Sequence, residues 1–263
     1  MKLFLFIISY YFRFFFPKKI QFRLLGFKTF KFRNKIIFDN QKKLFRLKKI
    51  PNYNKLDSYY NGPYWKFFNE PSLISKRDLL HFNFINSFFD INKTQNFVNY
   101  GSGPGGISYL ISPLMSKIYN VDYYSPGPFS ESYFKSISNE IFFNNYFDKD
   151  SIDFVYTSHC LEHLSSIDRF MENSLNILKK NGILVGEVPN GGAKNKLFQD
   201  RVGGSNFEIM VPHIYYFTED FFYNIKGFNV LKIIKYDSSQ KIKSMFDLKS
   251  EDGDSLFFIL QKK

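Results

Sequence analysis

A chain of 263 residues with a formal net charge of +12 is long enough for one α/β domain of ordinary size plus appendages. The charge sits at one end: residues 1–50 hold 14 Lys/Arg against the single acid Asp39, and residues 51–263 hold 22 Lys/Arg against 23 Asp/Glu, so a uniformly basic nucleic-acid surface is not supported. The lone cysteine, Cys160, excludes an intramolecular disulfide or a cysteine-only metal cluster and fits a reducing compartment.

Residues 3–16 (LFLFIISYYFRFFF) form an apolar run shorter than the roughly 20 residues that a membrane-spanning helix needs. No small-x-small cleavage site follows it. From there to residue 50, Phe, Leu and Ile interleave with Lys and Arg, the pattern of a strip lying on an anionic membrane surface. Packing against the domain or a partner is the alternative. Residues 51–75 are turn-rich, with Tyr59, Tyr60, Tyr64 and Trp65 able to form a lid or to plug the end of a core. Ser75 to Phe89 reads as a helix with Ser75 as N-cap and Leu79, Phe82 and Ile85 on one face.

The segment Asn96–Asp122 (NFVNYGSGPGGISYLISPLMSKIYNVD) reads as a buried strand, a glycine turn, a short helix and a second strand ending on an acid. Glycines at 101, 103 and 105 allow the backbone to turn sharply and to approach a ligand with no Cβ in the way. Asp122, 21 residues after Gly101, is placed to accept hydrogen bonds from a ribose diol. A turn-prone stretch, a short helix and a weak strand near residues 140–143 come next. A clear strand over Ile152–Thr157 then leads into Ser158-His159-Cys160-Leu161-Glu162-His163. A helix from Ser166 to Lys179 is expected to end on Asn181-Gly182 as an αL cap, and Ile183–Val188 is another strand. Alternating strands and helices imply a doubly wound, mainly parallel α/β sheet. The tail gives a helix from Thr218 and two strands, Phe228–Tyr236 and Ser255–Gln261, joined without a helical pattern and so most simply antiparallel.

Gly101, Gly103 and Gly106 also satisfy the dinucleotide fingerprint G-x-G-x-x-G. Only about 160 residues follow, too few for a second nucleotide half plus a catalytic domain. The hairpin argues against a nicotinamide or flavin enzyme as well.

The series Asn99-Tyr100-Gly101-Ser102-Gly103-Pro104-Gly105, Asp122, Ile152-Asp153-Phe154-Val155, Ser158-His159-Cys160-Leu161-Glu162-His163 and Leu178-Lys179-Lys180-Asn181-Gly182 resembles the class I S-adenosylmethionine-dependent methyltransferases. The closest branch is the small-molecule group that includes ubiquinone-biosynthesis O-methyltransferases. His213-Ile214-Tyr215-Tyr216-Phe217-Thr218-Glu219 and Lys226-Gly227-Phe228 are similar to that group's C-terminal pattern. The resemblance implies a Rossmann-like, seven-stranded sheet with the last strand antiparallel, spanning residues 76–263 after a 1–50 extension and a 51–75 lid or linker.

It also implies S-adenosyl-L-methionine as cofactor. Gly101, Ser102 and Gly103 would then run under its methionine portion, with Asn99 and Gly105 also in the cofactor-binding set, Asp122 on the ribose, Tyr123 beside the adenine, and the Thr157-Ser158-His159 turn near the transferable methyl. Asn144 and Asn145 are the nearest candidates for a further adenine contact. The family usually carries an acid at the position of Asn99, so charge attraction to the cofactor's ammonium is missing.

His159, following a strand's carboxyl end, is the candidate base for an acceptor hydroxyl; the alternative is that it and His163 cap or pack the next helix. Some relatives use a Glu-x-x-Glu-His metal set here. The corresponding residues are His159, Glu162 and His163 with His213, and the expectation is no metal. Thr157-Ser158-His159-Cys160 stands where nitrogen-methylating enzymes carry Asn/Asp-Pro-Pro-Tyr/Phe, which favours an oxygen acceptor. The function expected is O-methylation of a small-molecule, glycan or lipid-linked acceptor, in the cytoplasm or at the inner face of the membrane. A non-catalytic binding module of the same fold is the alternative, and an NAD-type oxidoreductase a lesser one.

Overall fold

The computed structural model describes residues 36–50, 74–92, 94–122, 134–138, 146–192, 213–236 and 253–263. A seven-stranded sheet forms the frame, in the order β5 (Phe134–Ser138), β4 (Lys117–Asp122), β3 (Asn96–Tyr100), β6 (Ile152–Ser158), β7 (Leu178–Pro189), β10 (Ser255–Lys262) and β9 (Phe228–Tyr236). The first five strands are parallel, and β10 runs antiparallel to both β7 and β9. The expected sheet with an antiparallel last strand is what the chain builds.

Both faces are covered, which is why β3 and β6 read as near-continuous apolar runs. On one face α1 (Lys76–Phe88) and α2 (Gly106–Ile111) place Phe84, Ile85, Ile107 and Ile111 against Phe97, Phe154, Tyr156 and Phe257. On the other, α3 (Ile167–Ile177) and α4 (Glu219–Tyr223) set Phe170, Ile177, Phe221 and Phe222 against Val98, Val155, Leu184 and Phe258. Ser75, Ser166 and Thr218 each cap a helix by accepting from a backbone N–H three residues on. Ser75 and Asp78 complete a capping box.

Two local expectations are corrected. The buried face of α1 carries His81, Phe84 and Ile85, while Leu79 is exposed, because a buried histidine takes the place of an apolar residue in the stripe. Helix α3 stops at Ile177, so Asn181 (φ 65°) lies inside β7, not at a helix end. There it bulges the strand between the Ile152–Leu178 and Phe154–Ile183 pairs. The strand expected at 140–143 falls outside the described residues; β5 forms earlier, where Phe134–Ser138 pairs with the open edge of β4.

Part of the basic N-terminal segment is built into the domain. Residues 36–47 form a hairpin, β1 (Ile36–Asp39) and β2 (Leu44–Leu47), which joins β8 (Tyr215–Tyr216) in a three-stranded sheet. Asp39 shapes its turn by accepting from the backbone of Gln41 and Lys42 and from Arg46 Nε at 2.8 Å. Ile36, Leu44 and Leu47 are buried in the main core. Lys42 pairs with Asp168 of α3, and the carbonyl of Lys43 accepts from Thr218. Among the described residues no helix is long and apolar enough to cross a membrane. The aromatics at 59–65 lie outside the described residues.

Candidate functional site

The site lies at the carboxyl ends of β3, β4, β6 and β7, where the parallel strands leave their last residues facing a common edge. After Tyr100 the chain turns through Gly101 (φ 72°), Gly103 (φ 51°) and Gly105 (φ 83°), all left-handed. Gly101 is doubly required: a Cβ there would lie 2.5 Å from both Cβ and Sγ of Cys160. The amides of Gly101 and Ser102 donate to the carbonyl of Val121, and the amide of Gly103 donates to Asp122 Oδ2 at 2.8 Å. The acid at the tip of β4 therefore anchors the glycine turn across the gap between adjacent strands.

Asn99 lies within the strand, 2% exposed. Its Nδ2 donates to Ser108 Oγ (2.8 Å), and that hydroxyl donates to Asn120 Oδ1 (2.6 Å). The chain of bonds ties β3, α2 and β4 together. Ser108 has one proton to give, so a donor must come from one of the two asparagines. An amide at 99 meets that need; a carboxylate, which only accepts, does not.

The second half of the site is the turn after β6. His159 adopts a left-handed backbone (φ 48°), and its amide donates to the carbonyl of Glu187. Its ring lies between two carboxylates, with Nε2 at 2.9 Å from Glu187 Oε1 and Nδ1 at 3.2 Å from Glu162 Oε1. Burial alone would push the imidazolium pKa down; the hydrogen bonds to Glu162 and Glu187 outweigh it and lift the value to about 10. Burial would raise the Glu162 carboxyl, but the His159 bond and the nearby rings of His163 and His213 bring it down to about 2. Glu187 is held well below the usual carboxylate range, its bonds to His159 and His81 overcoming burial. Held as an imidazolium with both N–H groups engaged, His159 has no lone pair for an acceptor's proton, and this geometry does not offer the expected base.

Glu187 itself was missed. It is fully buried at the end of β7, paired in register with Ser158, and also receives Arg77 Nε at 3.1 Å and His81 Nε2 at 3.2 Å, both from α1. His81 in turn meets Tyr156 Oη at 2.7 Å through Nδ1. The signal was present, since an acid inside the apolar run ILVGEV is costly unless paired. Nothing in the α1 sequence marks Arg77 and His81.

Glu162 and His163 sit in a 3₁₀ turn (Leu161–His163), and the backbone of the segment after His213 docks on it through Ile214 N to Glu162 O at 2.6 Å. One ligand atom each from Glu162, His163 and His213 lie within 4.8 Å of one another. Of the four residues considered for a metal, the fold gathers these three, while His159 bridges Glu162 to Glu187. Tyr123, Asn144, Asn145 and the 193–212 loop lie outside the described residues.

A family model described as a methyltransferase domain matches residues 73–232. The chain belongs to that methyltransferase family. No curated protein matches the sequence, so the solved structures supply the other comparison, and at these identities they speak for the fold. The methyltransferase is similar to a SAM-dependent methyltransferase from Thermotoga maritima (14% identity, TM-score 0.54, covering 80% of this chain and 99% of that one). It is similar to an S-adenosylmethionine-dependent methyltransferase from Mesorhizobium loti (12%, TM-score 0.51, 68% and 96%). A third is the phosphoethanolamine N-methyltransferase 2 of Haemonchus contortus in complex with S-adenosyl-L-methionine (13%, TM-score 0.51, 71% and 52%). S-adenosylmethionine is the cofactor of the class I family to which this methyltransferase belongs. The left-handed glycine turn, closed to any Cβ at 101 and anchored by Asp122, fits a nucleoside cofactor laid over β3 and β4.

Proposed function

We propose that this methyltransferase transfers a methyl group to an oxygen of a small-molecule, glycan or lipid-linked acceptor held over the Ser158–His159 turn. The observation that carries the reading is the turn itself. Thr157-Ser158-His159-Cys160 replaces the Asn/Asp-Pro-Pro-Tyr/Phe motif that orients amide and base nitrogens, and its polar groups converge on Glu187.

S-adenosylmethionine supplies an electrophilic methyl on a sulfonium, so the protein chiefly has to align donor and acceptor. In this reading Gly101, Ser102, Gly103 and Gly105 present backbone to the methionine portion, and Asp122 holds the ribose hydroxyls. Ser158 lies beside the transferred group, and Tyr123 beside the adenine. Asn99 supports the turn from beneath through Ser108. His159, a cation fixed by two carboxylates, sets the shape of the acceptor turn. An acceptor oxygen already ionised at neutral pH then reacts without a base, whereas a sugar hydroxyl draws one from elsewhere.

The N-terminal residues ahead of β1 retain the composition of a membrane-surface strip, which supports a lipid-linked acceptor presented at the inner face of the membrane.

Calorimetry with S-adenosylmethionine, S-adenosylhomocysteine and NAD tests the cofactor half of the reading. Labelled methyl transfer to lipid, glycan and small-molecule extracts, followed by mass analysis of the product, tests the acceptor half. Binding of NAD alone refutes the first, and N-methylated products alone refute the second.

A further inference from the structure

The β1–β2 hairpin lies ahead of residues 73–232, the part of the chain that the methyltransferase family model matches. Burial of Ile36, Leu44 and Leu47 explains why it covers the core, but apolar cover is non-directional and asks for no particular backbone register. The hairpin has one. Strand β2 pairs with β8 through Phe45–Tyr216 and Arg46–Tyr215, and the Leu47 amide donates to the Ile214 carbonyl at 2.9 Å. Thr218 Oγ1 donates to the Lys43 carbonyl, and Lys42 pairs with Asp168.

Residues 214–217 pass this register on to both acids that flank His159. The Ile214 amide donates to the Glu162 carbonyl (2.6 Å), which holds the 3₁₀ turn from outside. At the other end, the Phe217 amide donates to the Pro189 carbonyl (3.3 Å) and the Phe217 carbonyl accepts from the Gly191 amide (2.6 Å), just past Glu187. A Cβ on Gly191 would lie 2.8 Å from the Tyr216 carbonyl oxygen, so the two segments touch backbone to backbone. One buried segment therefore sets the spacing of Glu162 and Glu187, and the His159 ring reaches both only at that spacing, at 3.2 and 2.9 Å. The glycine turn is built differently. Its amides at Gly101, Ser102 and Gly103 are held by Val121 and Asp122 of β4.

We propose that the N-terminal hairpin is a positioning element for the acceptor half of the site, acting through the Leu47 amide. The hairpin holds residues 214–217, that segment holds the Glu162 turn and the end of β7, and His159 is clamped between them. Methyl transfer depends on alignment, and a displacement of about 1 Å costs about 100-fold in rate. The working unit of the methyltransferase then starts at β1, ahead of the matched domain. The link to methyl transfer rests on the function proposed above; the clamping of His159 does not.

The test compares two full-length variants. Leu47→Pro removes the amide that bonds Ile214, whereas Leu47→Ala trims the side chain and keeps the amide. The ring N–H signals of His159 in proton–nitrogen NMR spectra, assigned by their absence from His159→Gln, report the clamp. Calorimetry with S-adenosylhomocysteine reports the cofactor half. Wild type and Leu47→Ala should show two protected ring N–H signals, Leu47→Pro should lose them, and all three should bind S-adenosylhomocysteine. Unchanged signals in Leu47→Pro, or equal loss in Leu47→Ala, overturn the proposal. So does loss of S-adenosylhomocysteine binding in folded Leu47→Pro. Where Leu47→Pro does not fold, native-state hydrogen exchange on wild type decides: the Leu47, Ile214 and His163 amides should open as one unit, separately from Gly101 and Gly103. Leu47 opening independently of Ile214 and His163 overturns the proposal. N-methylated products sink the acceptor reading and leave every one of these readouts unchanged.

Discussion

Glu187 Oε1 lies 2.9 Å from His159 Nε2, joining the ends of β6 and β7 by a charged contact where their carboxyl edges meet. The same carboxylate receives Arg77 and His81, so one buried acid couples the acceptor turn to α1 on the other side of the strand. Glu187→Gln leaves the buried His159 cation with one carboxylate partner, a loss of about 3–5 kcal/mol by the usual cost of breaking a buried pair. Urea denaturation measures it.

The pH dependence of that difference has a definite sign. Glu187 has its carboxyl pKa depressed in the folded state, so its contribution is fully present above its usual value of 4.5 and is lost as pH falls below it. Wild type and Glu187→Gln should differ most near neutrality and converge on acidification. Denaturation curves from pH 7 to pH 3 give the comparison, and a gap that widens toward acid contradicts it.

Gly101→Ala meets two obstacles, a left-handed backbone and a Cβ 2.5 Å from Cys160 Cβ and Sγ. A loss of about 1–3 kcal/mol in stability is expected, with weaker S-adenosylhomocysteine binding. Adding Cys160→Ala removes only the sulfur contact, since the Cβ remains, so it should not restore the protein. Thermal melts of the single and double variants check this.

Asp122 separates charge from geometry. Asp122→Ala should cost about 1–3 kcal/mol of cofactor binding. Asp122→Asn can still accept from the Gly103 amide through its carbonyl oxygen and should lose less. Calorimetry with S-adenosylhomocysteine ranks the three proteins, and equal affinities exclude Asp122 from the ribose.

Ser108→Ala removes the hydroxyl between Asn99 and Asn120 and leaves buried amide groups short of partners. A cost of about 1–3 kcal/mol is expected, read by urea denaturation.

Truncation before Ile36 and truncation through Leu47 should behave differently. The second removes Ile36, Leu44 and Leu47 from the core, at about 1.5–3 kcal/mol for each buried side chain. Only the shorter deletion therefore tests membrane contact cleanly. It should lose binding to anionic liposomes; equal liposome binding would rule out the strip.

The sequence by itself determined the frame. Apolar runs at 96–100, 152–157 and 183–188, a capping serine at 75, and a tail without a helical crossover admit few topologies, because these signals are local and periodic. The glycine turn and Asp122 were legible for the same reason: left-handed φ and a strand-end acid leave a mark in the residue types themselves. Only the tertiary structure decided what His159 does, since its two partners lie 3 and 28 residues away and it is their joint field that keeps it charged. The same holds for Asn99, whose amide is explained by Ser108 and Asn120, and for Glu187, whose partners come from a helix a hundred residues earlier. Hydrogen-bond partnership across strands has no sequence period, so pairs of this kind become visible only when the chain closes on itself.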